Sequence, residues 1–157
     1  MLYYSTNNSE LKAELKDAVF RGLAPDGGLF MPESFPTLSS GFFKRLPEME
    51  FYQLAFEVSQ ALFGEDLDHK DLFELVTDAI NFPTPVINIA DNLFCLELFH
   101  GPTLAFKDVG ARFMARMLSL LVKDHPQEIH VLVATSGDTG SAVANGFLGV
   151  SGLFCGR

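Results

Sequence analysis

The sequence predicts an α/β protein in two parts: an α-rich N-terminal region with short strands, then the beginning of a parallel α/β domain. Three observations carry this. Residues 51–63 and 68–80 place apolar groups at helical spacing. Phe82-Pro83-Thr84-Pro85 cannot continue a helix and marks a boundary, dividing the chain into 1–82 and 83–157. Beyond it, strand-like and helix-like segments alternate, and Ile129–Ala134 (IHVLVA) is a continuous apolar run of the type buried on both faces of a sheet.

Taken in order, Leu2–Ser5 reads as a strand, and Ser9 as the N-cap of a helix over Glu10–Phe20 that Gly22 ends. Leu23–Phe30 holds Asp26-Gly27-Gly28, a turn in which glycine supplies positive φ. Residues 31–49 are rich in Pro and Ser and read as a loop. Phe51–Phe63 is a helix with Phe51, Leu54, Ala55, Val58, Ala61 and Leu62 on one face, closed by Gly64. Asp68 caps a further helix through Ile80, with Leu72, Leu75, Val76 and Ala79 inward. Val86–Ala90 and Phe94–Phe99 form strands around an Asp91-Asn92 turn. Lys107–Lys123 is a helix, Ile129–Ala134 a buried strand, and a glycine-containing turn opens another helix near Thr139. Residues 149–157 arrive where the next buried strand should run and then stop, so the parallel sheet is expected to be incomplete and the chain a front fragment.

Composition narrows the function. The 157 residues are 48% apolar and 20% charged, enough to build a core and too ordered in pattern for disorder. No apolar run approaches the roughly 18–20 residues of a membrane span, and the start MLYYSTNNSE lacks a basic region and an apolar stretch. Two cysteines, Cys95 and Cys155, build neither a disulfide framework nor a four-ligand zinc site, and the four histidines show no metal spacing. A cytoplasmic protein is the expectation. Residues 48–97 carry eleven acids and only Lys70, whereas residues 98–157 carry five basic and four acidic groups. The acidic middle repels nucleic acid and anionic lipid. The last third, rich in glycine, is the place for an anionic small molecule.

Two features there carry chemistry. Lys107 follows the uncharged stretch Gly101-Pro102-Thr103-Leu104-Ala105-Phe106 and falls in phase with Ala111, Met114 and Leu118, read as the buried stripe. Asp108, Arg112, Arg116, Ser119 and Lys123 form the other stripe, read as solvated, with Asp108 and Arg112 an i,i+4 surface pair. A buried amine loses charge and becomes a nucleophile toward a carbonyl carbon, whereas a first-turn lysine that snorkels to water does neither. Both readings stand on position alone.

The second feature is Thr135-Ser136-Gly137-Asp138-Thr139-Gly140-Ser141, at the carboxyl end of the apolar strand, where α/β proteins bind ligands. Its glycines admit a close ligand and its hydroxyls and helix-start N–H groups donate hydrogen bonds. The alternative is an ordinary connection capped by Asp138 or Thr139. Asp138 opposes a phosphate and suits a hydroxyl, amide or protonated ring nitrogen, and the absence of a P-loop lysine argues against a nucleoside triphosphate.

Taken together, Glu97-Leu98-Phe99-His100-Gly101-Pro102-Thr103-Leu104-Ala105-Phe106-Lys107-Asp108, the turn Thr135–Ser141, and Arg21-Gly22-Leu23-Ala24-Pro25-Asp26-Gly27-Gly28-Leu29-Phe30-Met31-Pro32 resemble the threonine synthase family, pyridoxal-phosphate enzymes of the tryptophan-synthase-β fold type. The resemblance implies a family N-terminal domain over 1–82 and, over 83–157, the start of a three-layer α/β domain that binds pyridoxal 5'-phosphate. Lys107 matches the lysine that holds the cofactor covalently and acts as the base. Ser136, Gly137, Asp138, Thr139 and Gly140 match the cofactor-contacting loop. Thr135, Ser136 and Thr139, with His100 and Thr103, are the substrate-side candidates. Asp138 stands where many other members of the fold type have Asn, and threonine synthases commonly have Asp. The implied reaction is a carbon–oxygen lyase step on O-phospho-L-homoserine followed by hydration, giving L-threonine and phosphate. The cofactor-phosphate loop and the group facing the pyridine nitrogen come later in the family, so the remainder of the catalytic domain is an expected partner and the 157 residues alone are expected to be inactive. A phospholyase or dehydratase of the same fold type, or a catalytically dead binding fragment, are the alternatives.

Overall fold

The computed structural model describes residues 1–123, 129–135 and 137–155. The chain divides into two compact units, Met1–Val76 and Thr77–Arg157.

In the first unit, β1 (Leu2–Ser5) is the centre of an antiparallel sheet, with β2 (Lys12–Glu14) on one side and β3 (Phe30–Pro32) on the other. Tyr3 pairs with Ala13 and with Pro32, which fixes the register on both edges. The helix expected over Glu10–Phe20 is shorter, since α1 covers Leu15–Arg21 and follows Glu14 rather than Ser9. Residues 12–14 complete the sheet instead, so backbone pairing to β1 overrides the helical pattern at that end. Gly22 does end α1, at φ 70°.

The Asp26-Gly27-Gly28 turn is tied to β1. The Asp26 carboxylate accepts from the Ser5 hydroxyl (2.7 Å) and the Gly28 N–H (3.0 Å), and the Ser5 hydroxyl accepts from the Asn7 N–H (3.2 Å). A Cβ on Gly28 would overlap the fully buried Ser5 hydroxyl, and Gly27 sits at φ 80°. The segment read as a loop over 31–49 contains β3, a short helix α2 (Ser40–Arg45) and a 3-10 turn (Leu46–Glu48). Ser39 caps α2 by accepting from the Phe42 N–H (3.1 Å), a local signal that a Pro- and Ser-rich composition conceals. Helix α3 (Phe51–Phe63) begins with a reciprocal Glu50/Gln53 capping box and closes at Gly64.

Helix α4 (His69–Ala79) starts as expected at Asp68, whose Oδ1 accepts from the Lys70 N–H at 2.8 Å. Leu72, Leu75, Val76 and Ala79 are its buried side chains. In the second unit, β4 (Val86–Ala90) and β5 (Leu93–Leu96) form a hairpin whose turn places Asn92 at φ 59°. Helix α5 (Lys107–Leu121), strand β6 (Ile129–Val131), helix α6 (Asp138–Phe147) and strand β7 (Leu153–Cys155) follow. Strands β6 and β7 are parallel, pairing Ile129 with Leu153, and the helix between them makes a βαβ unit. Ala115, Val122, Phe147 and Leu153 form its small core.

Helices α5 and α6 approach closely at Gly146, where a Cβ would stand 3.1 Å from the Ala111 carbonyl carbon. Burial in the strands departs from expectation. Residues 132–134 of the apolar run lie beyond β6 and are exposed, Leu132 by 89%. Every residue of β4 is exposed as well. The strand patterned for burial on both faces has one neighbour here, β7, so its apolar residues are left uncovered. No helix among the described residues is long and apolar enough to cross a membrane.

Candidate functional site

The two chemistry-bearing segments open two helices packed against each other. Lys107 is the first residue of α5, and the Thr135–Gly140 turn leads into α6.

Lys107 is half-buried, with Nζ 4.4 Å from the centre of the Phe106 ring. The stripe assignment made from the sequence fails at Asp108, Arg112 and Met114, while Leu118 packs against the core and Lys123 is exposed as expected. Asp108 is fully buried, Arg112 nearly so, and Ala115 and Met117 lie below them, while Met114, expected inward, is 45% exposed. The reason is satisfaction of polar groups. Asp108 accepts from the Thr103 N–H (2.8 Å) and the Thr103 hydroxyl (2.6 Å), closing the loop that precedes α5. Arg112 donates from Nε to the Ala79 carbonyl (2.8 Å) and from Nη2 to the Asp78 carbonyl (2.7 Å) and Asn81 Oδ1 (3.1 Å). It thus caps the C-terminal end of α4, where free carbonyls and the helix dipole favour a cation. Burial, followed by the neighbouring Arg116, pulls the Arg112 guanidinium below its usual pKa. Arg116 donates to Asp78 Oδ2 (2.7 Å) and to the Gly146 carbonyl, tying α4, α5 and α6 together.

The remaining candidates fall into place locally. Thr103 is engaged with Asp108 through both donors. His100 Nε2 lies 2.7 Å from Glu97 Oε2, and its ring sits 4.7 Å from that of Phe99. Thr135 is exposed, and its methyl group would stand 2.5 Å from a Cβ on Gly140, so a larger residue there requires the Thr135 side chain to move. Ser136 lies outside the described residues. Gly137 precedes α6 at φ 168° and ψ −109°, and its carbonyl accepts from the Ser141 N–H (3.2 Å). A Cβ on Gly137 would meet nothing within 4 Å among the described residues, so internal packing does not require glycine there. Asp138 is exposed and Thr139 half-buried, and among the described residues no side chain caps α6.

The two segments offer one half-buried amine, hydroxyls on Thr135, Thr139 and Ser141, and helix-start N–H groups that no side chain caps among the described residues. That donor set fits the aldehyde and ring edge of a pyridoxal phosphate and the carboxylate of an amino-acid substrate. The sequence reading missed Asp108 and Arg112 as buried anchors. The available signal was a carboxylate in the first turn of a helix five residues after a threonine, which favours a local cap over a surface pair.

Comparison with known proteins assigns the chain to a family. The family model described as threonine synthase N terminus matches residues 2–80, and the chain belongs to that family. Threonine synthase of Escherichia coli is 40% identical over 150 residues, 96% of this chain and 35% of that protein. Threonine synthase of Schizosaccharomyces pombe is 35% identical over 161 residues, 94% of this chain and 31% of that one. Among solved structures, threonine synthase from Escherichia coli superposes with a TM-score of 0.88 at 38% identity, covering 99% of this chain and 36% of that chain. A threonine synthase from Brucella melitensis, described as bound to pyridoxal phosphate, gives 0.92 at 33% identity, covering 99% and 34%. The chain thus spans about a third of the length of the curated relatives it matches.

Proposed function

We propose that this chain supplies the N-terminal domain (1–82) and the lysine-bearing start of the catalytic domain (83–157) of a cytoplasmic threonine synthase, which converts O-phospho-L-homoserine and water to L-threonine and phosphate. The observation that carries this reading is the joint placement of Lys107 at the start of α5 and the donor-rich Thr135–Gly140 turn at the start of α6, within a chain whose first half matches the family.

Pyridoxal phosphate, when bound, supplies the electron sink that makes the substrate Cα proton acidic. The chain's own residues do the rest. Lys107 Nζ would hold the cofactor and then move protons at Cα, Cβ and Cγ from its place at the start of α5. Phosphate would depart from Cγ, which gains a proton to become the methyl group, water would add its oxygen at Cβ, and Cα would regain its proton. Gly137, Thr139 and Gly140, with Ser136 and Thr135, receive the substrate carboxylate and the ring edge through N–H and hydroxyl donors. Asp138 accepts from a hydroxyl or nitrogen donor of the bound molecule. His100 and Thr103 border the lysine loop on the substrate side.

The described residues contain no counterpart for the cofactor-phosphate loop, and β4, β5 and residues 132–134 leave apolar surface for the remainder of a catalytic domain to cover. The isolated 157 residues therefore bind pyridoxal phosphate weakly and do not turn over. The experiment is product analysis with O-phospho-L-homoserine, alone and with a relative's complementary C-terminal polypeptide. Threonine formed only with the complement supports the reading. A 2-oxo acid instead identifies a lyase or dehydratase, and threonine from the isolated chain overturns the inactivity.

A further inference from the structure

We propose that Asp108 is a positioning residue for Lys107: its buried carboxylate locks the Gly101–Phe106 loop through Thr103, so that the lysine begins α5 in one fixed setting. The inference rests on the reading of Lys107 given above.

Four observations converge on that loop. Asp108 has no exposed surface, an expensive place for a carboxylate unless its oxygens are satisfied. Both of its oxygens are used on one residue five positions earlier, Oδ2 on the Thr103 N–H (2.8 Å) and Oδ1 on the Thr103 hydroxyl (2.6 Å). Gly101 packs directly on it, since a Cβ there would stand 2.5 Å from Asp108 Oδ2 and 2.8 Å from its Cβ. Between these clamps, Leu104 is held at φ 58°, a left-handed conformation costly for a bulky residue, with its N–H donating to the Gly101 carbonyl (3.1 Å).

A loop that keeps a leucine strained and 76% exposed is not arranged for the sake of that leucine. The Asp108 N–H donates to the Ala105 carbonyl (3.0 Å), so the same residue fixes the backbone on both sides of Phe106 and Lys107. Arg112, one turn further along, anchors this end of α5 to the Asp78 and Ala79 carbonyls. The lysine backbone therefore has a rigid seat, and its amine gains the benefit of being held in place rather than searching for its target.

The test is reductive trapping with pyridoxal phosphate and borohydride on the 157-residue chain, read by peptide mass as labelling of Lys107 relative to the exposed Lys123, alongside a melting curve. In the native chain the ratio favours Lys107 by about tenfold. Thr103→Val and Asp108→Ala bring it close to one in molecules that remain folded, and Thr103→Ser, which keeps the hydroxyl, restores it. Where Asp108→Ala does not fold, Thr103→Val decides. Variants that melt earlier but keep the native ratio overturn the positioning role while leaving Lys107 as the cofactor lysine. A native ratio near one overturns both.

Discussion

The Met1–Val76 unit buries one face of α4, although Phe35 and Phe43 stay exposed and Ser59 is the one buried residue of α3, whereas in the Thr77–Arg157 unit both hairpin strands are left open. In the first, a three-stranded sheet is pinned by the Ser5–Asp26–Gly28 cluster, and the apolar positions of α4 (Leu72, Leu75, Val76) are buried as their spacing requires. In the second, a small α5–α6–β6–β7 core forms, yet the hairpin strands and Leu132 present large apolar side chains to water. The difference teaches that a helical stripe specifies burial against neighbours close in the chain. A strand apolar on both faces specifies burial against strands that this chain, spanning about a third of its relatives, does not contribute.

The largest expected contrast tests that lesson directly. Leu72→Ala empties a fully buried site in the first unit and should cost about 2–5 kcal/mol by urea denaturation. Leu132→Ala, at a site 89% exposed, should change stability by less than about 0.5 kcal/mol, and a large loss there would show that the strand is covered in solution.

Within the second unit, Gly146→Ala should cost about 1–3 kcal/mol, because its methyl meets the Ala111 and Arg112 backbone, which cannot give as a side-chain tip would. Gly137→Ala, with open space among the described residues, should cost less than Gly146→Ala. Equal losses at the two glycines would contradict the division between a packed and an open position.

The smallest effect is a pH dependence in the first unit. The Ser5 hydroxyl, then the Gly28 N–H, hold the Asp26 carboxyl below its ordinary pKa of 3.8. Since the folded value is the lower one, the unfolded chain binds more protons in that window. The stability from this group is present above the unfolded value and lost as pH falls through the folded one. Acid unfolding of Asp26→Asn should be flatter than that of the native chain across this range.

How much of this was legible in the sequence divides along the same line. The helices Phe51–Phe63 and His69–Ala79 and their caps followed from apolar spacing and from Gly64 and Asp68, all local signals. Strand β2 was hidden because residues 12–14 are recruited by β1, a pairing that propensity does not encode. The motif order around Lys107 and the Thr135–Gly140 turn pointed to the threonine synthase family, to which the match over residues 2–80 and the relatives matched along nearly the whole chain assign it. The orientation of α5 was not legible. Asp108 and Arg112 look like surface charges until their partners, Thr103 and the α4 carbonyls, are known, and polar residues with satisfied hydrogen bonds do not follow an apolar stripe.

The most direct test of the central claim is where pyridoxal phosphate attaches when the native chain is reduced with borohydride and digested. The account predicts that the peptide containing Lys107 carries the label ahead of those containing Lys12, Lys16, Lys44, Lys70 and Lys123, and that Lys107→Ala abolishes this preferential site. Labelling spread evenly over the lysines, unchanged by Lys107→Ala, would contradict it.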